Sequence, residues 1–93
     1  MGSTRESSIE KHLCDKAKLA NGEVRKVKWI GRNHAPDRLV LLPGSHFYIE
    51  LKRPGKEPTA AQAREHARMR KSGMRIEWAN TKEGIDRLFL LRG

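Results

Sequence analysis

Asp37, Glu50 and Lys52 stand in or beside two runs rich in β-forming residues, DRLVLL and FYIELK, joined by PGSH. A hard divalent cation takes oxygen ligands, and Mg²⁺ is commonly held by one or two carboxylates completed by water and phosphate. Asp37 and Glu50 supply such a pair, and the carbonyl of Leu51, between Glu50 and Lys52, adds a third oxygen. Lys52 is a mobile point charge with three donors. Beside a metal it can orient or help deprotonate an attacking water, or steady charge that develops on phosphate oxygens. The cation itself would lower the pKa of that water and polarise the phosphate. Those are the ingredients of phosphodiester hydrolysis. The plainer reading is a cross-strand ion pair between Asp37 and Lys52, contributing about 0.2–1 kcal/mol on an exposed face. Spacing alone leaves the two readings level. The neighbours Leu39 to Leu42, Ile49 and Leu51 favour the first, because charges set against a core need a reason.

These residues must be positioned by a hairpin. If all of PGSH forms the turn, Leu42 pairs with Phe47, Leu41 with Tyr48, Leu39 with Glu50 and Asp37 with Lys52. Alternation then puts Asp37, Glu50 and Lys52 on one face, with Asp37 diagonal to Glu50 at about 7 Å. A slip by one residue would break the cluster.

A first helix is expected over residues 4–20, with Ile9, Leu13, Ala17 and Ala20 facing the core and Asn21-Gly22 ending it. On a helical wheel the mean apolar direction lies about 25° from Glu6 and about 65° from Glu10. Glu6 is therefore a candidate third carboxylate and Glu10 a weaker one. Ser3-x-x-Glu6 and Ser7-x-x-Glu10 also read as capping boxes. EVRKVKWI (23–30) reads as a strand and GRNHAP (31–36) as a loop bearing Arg32 and His34. DRLVLL (37–42) and FYIELK (47–52) form the hairpin, with His46 in its turn, and RPGKEP (53–58) is a loop with Arg53 and Lys56. A second helix follows Thr59 as N-cap and stops before Gly73. Its alanines, Ala60, Ala63 and Ala67, are expected to lie against the sheet. Thr59-x-x-Gln62 is a capping box, yet Gln62 follows the Glu-x-Lys strand closely enough to reach the site. MRIEWA (74–79) is a last strand, and residues 80–91 a closing helix capped by Asn80 or Thr81. The fold class is α/β, a mixed sheet flanked by helices in the order α-β-β-β-α-β-α.

The chain has 93 residues, the length of one small domain. Its 20 Lys and Arg against 11 Asp and Glu give +9, which points to a polyanionic partner, nucleic acid above all. Arg32, His34, Arg53, Lys56, Arg64 and Arg68 are the candidate backbone contacts, and the start of the Gln62 helix also favours phosphate. Aromatic residues make up 5%, which argues against a binder that works by base stacking. Trp29 and Trp78 read as core or dimer contacts. Cys14 is the only cysteine, so no internal disulfide forms, in keeping with a reducing cytoplasm. No apolar run approaches membrane-spanning length, and no His or Cys spacing suggests a zinc site.

Pro36-Asp37 followed by Glu50-Leu51-Lys52 resembles the PD-(D/E)xK nuclease superfamily. More narrowly, RESSIE, APDRLVLLPG, IELKRPGKEP and the Gln62 helix resemble the compact stand-alone phage or bacterial form of the VRR-NUC (virus-type replication-repair nuclease) family. The likeness runs from about Arg5 to Leu88. It implies a restriction-endonuclease-like sheet. It makes Glu6, Asp37, Glu50 and the Leu51 carbonyl ligands of Mg²⁺ or Mn²⁺, Lys52 the catalytic lysine, and Gln62 the glutamine of the following helix. It implies hydrolysis of DNA phosphodiesters by homodimers similar to Holliday-junction resolvases, working in the cytoplasm of a bacterium or of a phage-infected host, with no membrane and no small-molecule cofactor. The loop before Pro-Asp often has a glycine where this chain has His34-Ala35, a departure that bears on the loop's DNA contacts.

Two other readings make different predictions. A non-catalytic module for structured DNA keeps salt-dependent binding after loss of Asp37. A small antitoxin-like interaction protein shows no DNA affinity beyond its charge. The intact Asp, Glu and Lys set opposes the former, and the +9 charge the latter. The apolar patch expected for a dimer includes Trp78, Phe89 and Leu90.

Overall fold

The computed structural model describes residues 6–90. Its elements are α1 (Glu6–Leu19), β1 (Glu23–Lys26), β2 (Arg38–Leu42), β3 (Ser45–Leu51), α2 (Ala60–Lys71), β4 (Ile76–Ala79) and α3 (Lys82–Leu90). The order is the α-β-β-β-α-β-α expected. The four strands form one sheet in the order β1-β2-β3-β4. The first three pair antiparallel, and β4 joins β3 in parallel after the α2 crossover.

Alternation along β3 sorts the two faces. Phe47, Ile49 and Leu51 are buried in one core with Val40 and Leu42 of β2, Ile9, Leu13 and Ala17 of α1, and Ile85 and Leu88 of α3. Ala20 packs at the edge of this core. Tyr48 and Glu50 point the other way, toward α2. His12 Nε2 meets Asp86 Oδ1 at 2.7 Å and ties α1 to α3. Helix α1 ends where Asn21 takes a left-handed φ of 62°. Gly22 then passes so close to β2 that a Cβ would strike the Leu41 carbonyl.

The hairpin register differs from the expected one. Leu42 pairs with Ser45, Val40 with Phe47 and Arg38 with Ile49. The turn is the two residues Pro43-Gly44, and Gly44 has φ 74°. Proline fixes the first central residue and glycine accepts the positive φ of the second, so no longer loop is needed. His46 consequently lies in β3, exposed, and not in the turn. The correction is a shift of two residues. An even shift preserves the face on which every side chain lies.

Three further expectations change. Strand β1 stops at Lys26, although Val27 N–H still donates to the Asp37 carbonyl at 3.0 Å. Beyond it Trp29 leaves the ladder, donates to the Pro36 carbonyl at 2.7 Å and lies 5.3 Å from the Tyr48 ring. Ala60, Ala63 and Ala67 are exposed. The buried side of α2 carries Glu65, His66 and Met69 instead. Ser7 and Glu10 both sit inside α1, so Ser7 is no N-cap, while Ser3 lies outside the described residues.

Candidate active site

The corrected register strengthens the carboxylate pair. One step beyond Arg38↔Ile49 it sets Asp37 directly opposite Glu50. Asp37 turns its carbonyl toward β1, so the Asp37–Glu50 pair is a non-hydrogen-bonded one, in which side chains approach most closely. Like charges placed this way destabilise a sheet. Glu50 registers the effect: burial first, and the Asp37 carboxylate second, push its pKa up to about 7. The charge of Glu6 also raises it, while Lys52 and Arg38 lower it. Glu50 is 14% exposed and Asp37 62%, so the pair runs from the protein interior to solvent.

Lys52 follows on the same face, its Nζ 3.9 Å from Glu50 Oε2. Its amide bonds the Ala79 carbonyl at 2.9 Å, as that of Tyr48 bonds Arg75. Even-numbered residues of β3 thus turn their backbone toward β4, and the Leu51 carbonyl turns toward β2. There Pro36 has no N–H to offer it. A Pro next to Asp37 therefore leaves a backbone oxygen beside the two carboxylates.

Gln62 makes both contacts its sequence allowed. Its Oε1 accepts from the Thr59 amide at 2.9 Å, and Thr59 Oγ1 accepts from the Gln62 amide at 3.1 Å, a complete capping box. Its Nε2 donates to Glu50 Oε2 over a long 3.5 Å. The helix cap and the site share one side chain.

The two acids of α1 are sorted by Arg38. Arg38 Nη2 lies 2.8 Å from Glu10 Oε2, which engages Glu10, whereas Glu6 is exposed at the helix start and acts on Glu50 through its charge. Arg38, which sequence reasoning passed over, also holds Asp37 Oδ1 from Nη1 at 3.0 Å. Its signal was available: an arginine in a strand whose odd–even pattern aims it at α1.

The basic candidates divide in two. Arg32, His34, Arg64 and Arg68 line one open groove of about 490 Å³ between the loop before Asp37 and α2. Arg53 and Lys56 lie on the loop after β3, which Asn80 Nδ2 fastens at the Lys56 carbonyl at 2.8 Å. Glu65 inside the groove was missed; its spacing of three from Arg68 was the only clue. Of the expected dimer patch, Phe89 packs edge-on against Phe47 at 6.1 Å at the border of the core, while Trp78 is 36% and Leu90 82% exposed.

Asp37 and Glu50 offer carboxylate oxygens, the donor type that a hard cation takes. Among the described residues no three His, Cys, Asp or Glu side chains form a ready-made cage. Two carboxylates and a backbone carbonyl, with one carboxyl raised to about 7, suit a hard cation that keeps water and substrate oxygens as its remaining ligands.

No family model matches the chain. A protein named "Putative nuclease p44", from Acyrthosiphon pisum secondary endosymbiont phage 1, is 48% identical over 66 residues, covering 70% of this chain and 71% of that one. A solved structure described as "VRR_NUC domain" superposes with a TM-score of 0.85 at 32% identity, covering 98% of this chain and 100% of the other. The chain belongs to the VRR-NUC nuclease family. The mixed sheet with α2 crossing between β3 and β4 is this family's fold.

Proposed function

We propose that the protein is a metal-dependent DNA endonuclease that hydrolyses phosphodiester bonds in branched DNA of the Holliday-junction kind, as a homodimer. The observation that carries the reading is Glu50, largely buried beside Lys52, with its carboxyl raised to about 7 by burial and by the charge of Asp37. Two carboxylates brought near each other, one of them with its pKa raised, make sense when a cation shares them. Asp37, Glu50 and the Leu51 carbonyl would hold Mg²⁺ or Mn²⁺, with Glu6 approaching from α1. Bound there, the ion would lower the pKa of an attacking water and polarise the scissile phosphate. Lys52 orients that water or takes its proton and stabilises charge on the phosphate. Gln62 keeps Glu50 in place through its amide. Arg32, His34, Arg53, Lys56, Arg64 and Arg68 follow the DNA backbone.

One such site cuts one strand, so paired cuts across a junction call for a two-fold dimer. The exposed Leu19 and Leu90, beside Phe89 at the ends of α1 and α3, offer apolar surface for it. No helix among the described residues is long and apolar enough to cross a membrane. That, with the free Cys14 and the phage relative, supports action in a bacterial cytoplasm during phage recombination or repair.

The test is cleavage of a labelled four-way junction beside a linear duplex of the same sequence, in Mg²⁺, Mn²⁺ or EDTA. Metal-dependent cutting of the junction, lost in Lys52→Ala and in Glu50→Gln, is the expected result. Equal cutting of both substrates removes the junction preference. DNA binding without cutting in either metal leaves the non-catalytic binding module.

A further inference from the structure

We infer that the groove between the Gly31–His34 loop and α2 is a second phosphodiester-binding subsite, and that Glu65 is the positioning residue that presents Arg32 and Arg68 to it. The ligand's identity as substrate backbone rests on the nuclease reading above.

Glu65 is an acid in the one place where a DNA-binding surface should least want it. Its side chain is 9% exposed and lies among Arg32, Arg64 and Arg68. A single oxygen, Oε1, accepts from Arg32 Nη2 at 3.0 Å and from Arg68 Nε at 3.1 Å. A guanidinium carries five N–H donors in a rigid fork. Each arginine spends one nitrogen on Glu65 and keeps the others. Both side chains are more than half exposed, at 51% and 63%, so those remaining donors face the groove and solvent. The hydrogen bond from Arg32, with help from Arg68, holds the Glu65 carboxyl below its usual range, so it stays anionic at neutral pH.

The arrangement fixes two guanidiniums that would otherwise repel each other and wander. It also anchors a loop that crosses to α2. Gly31 and His34 both have positive φ, 88° and 71°, and turn the chain so that Arg32 reaches the helix. The same loop enters Asp37 three residues after His34. A phosphate held on the outer faces of Arg32 and Arg68, with His34 and Arg64 beside it, is thereby placed at a fixed offset from the carboxylate pair. Planar forks of this kind match phosphate oxygens two at a time.

The test reads binding in EDTA, by anisotropy of a labelled junction and a labelled duplex, for wild type, Glu65→Gln and Arg32→Lys. Metal-dependent cleavage by the wild type is measured in parallel. Charge alone predicts that Glu65→Gln, which removes a negative charge, binds more tightly, and that Arg32→Lys changes nothing. Positioning predicts the opposite sign: both weaken binding about tenfold. It also predicts that the slope of log affinity against log salt becomes shallower by about one in Arg32→Lys, as one phosphate contact is lost. If Glu65→Gln does not fold by thermal melting, the charge-conserving Arg32→Lys at a half-exposed site decides alone. Unchanged or tighter binding in the variants overturns the subsite. So does thermal stabilisation of the wild type by inorganic phosphate with no difference between variants in DNA affinity, which assigns the groove to free phosphate. Weaker binding by both variants without any wild-type cleavage supports the subsite and removes the nuclease reading instead.

Discussion

Arg38 grips Asp37 with Nη1 at 3.0 Å while its Nε and Nη2 close on Glu10 at 2.9 and 2.8 Å. The guanidinium is 12% exposed, so it bolts the candidate metal strand to α1 from inside the protein. Burial works against its charge, but Asp37 and Glu10 more than offset this and raise its pKa. Charge-assisted hydrogen bonds of this kind contribute about 1.5–3 kcal/mol. Arg38→Gln should lower Tm by roughly 4–8 °C for each kcal/mol lost. The double-mutant cycle with Glu10→Gln should show coupling of about 0.5–3 kcal/mol. Additive losses in denaturant melts would falsify the clamp.

The raised carboxyl of Glu50 makes a signed prediction. A group whose folded pKa exceeds its unfolded value contributes stability below the unfolded value and loses it as pH rises through the folded one. For Glu50 that window runs from 4.5 to about 7. In EDTA, Glu50→Gln should match the wild type at pH 4 and exceed it above pH 7 by at most roughly 3 kcal/mol. Added Mn²⁺ should stabilise the wild type alone. It should release about one proton at pH 6 and almost none at pH 8.5, as calorimetry in buffers of different ionisation enthalpy reports. Equal stability of the two proteins across this range in EDTA contradicts the crowded pair.

The elements were legible because each carries local punctuation: Asn21-Gly22, Pro43-Gly44, and Thr59 with Gln62. The face shared by Asp37, Glu50 and Lys52 was legible from period two alone. Their partners were not, because a four-residue and a two-residue turn give the same faces and different neighbours. Alanine content misled at α2. Small residues at helical spacing permit close packing, but they also permit exposure, and the longer Met69 and His66 filled the sheet side. The strand pattern could aim Arg38 at α1 and a spacing of three could pair Glu65 with Arg68, but their partners Glu10 and Arg32, at separations of 28 and 33, lie outside any local window.

His66 is 1% exposed and its Nε2 has no hydrogen-bond partner among the described residues. Burial, then Arg70, lowers its pKa, so it is neutral near pH 7. An unsatisfied buried nitrogen costs about 1–3 kcal/mol. His66→Leu should therefore raise Tm, with an unchanged denaturant m-value. A lower Tm would mean that Nε2 is satisfied in solution by a buried water.

Gln62 allows its two duties to be separated. Thr59→Ala breaks the capping box, costing about 1 kcal/mol of stability, and leaves the Nε2 contact with Glu50. Gln62→Glu keeps an oxygen for the Thr59 amide but replaces the donor near Glu50 with a negative charge. The first variant should melt earlier and cleave DNA at nearly the wild-type rate when assayed well below its Tm. The second should hold its fold and lose cleavage by tenfold or more, with the metal requirement shifted to higher or lower concentration according to whether the new carboxylate repels Glu50 or joins the ligands. Equal cleavage by Gln62→Glu and wild type would reduce Gln62 to its helix cap, because an amide donor at 3.5 Å that can be exchanged for a carboxylate without loss is not steering Glu50.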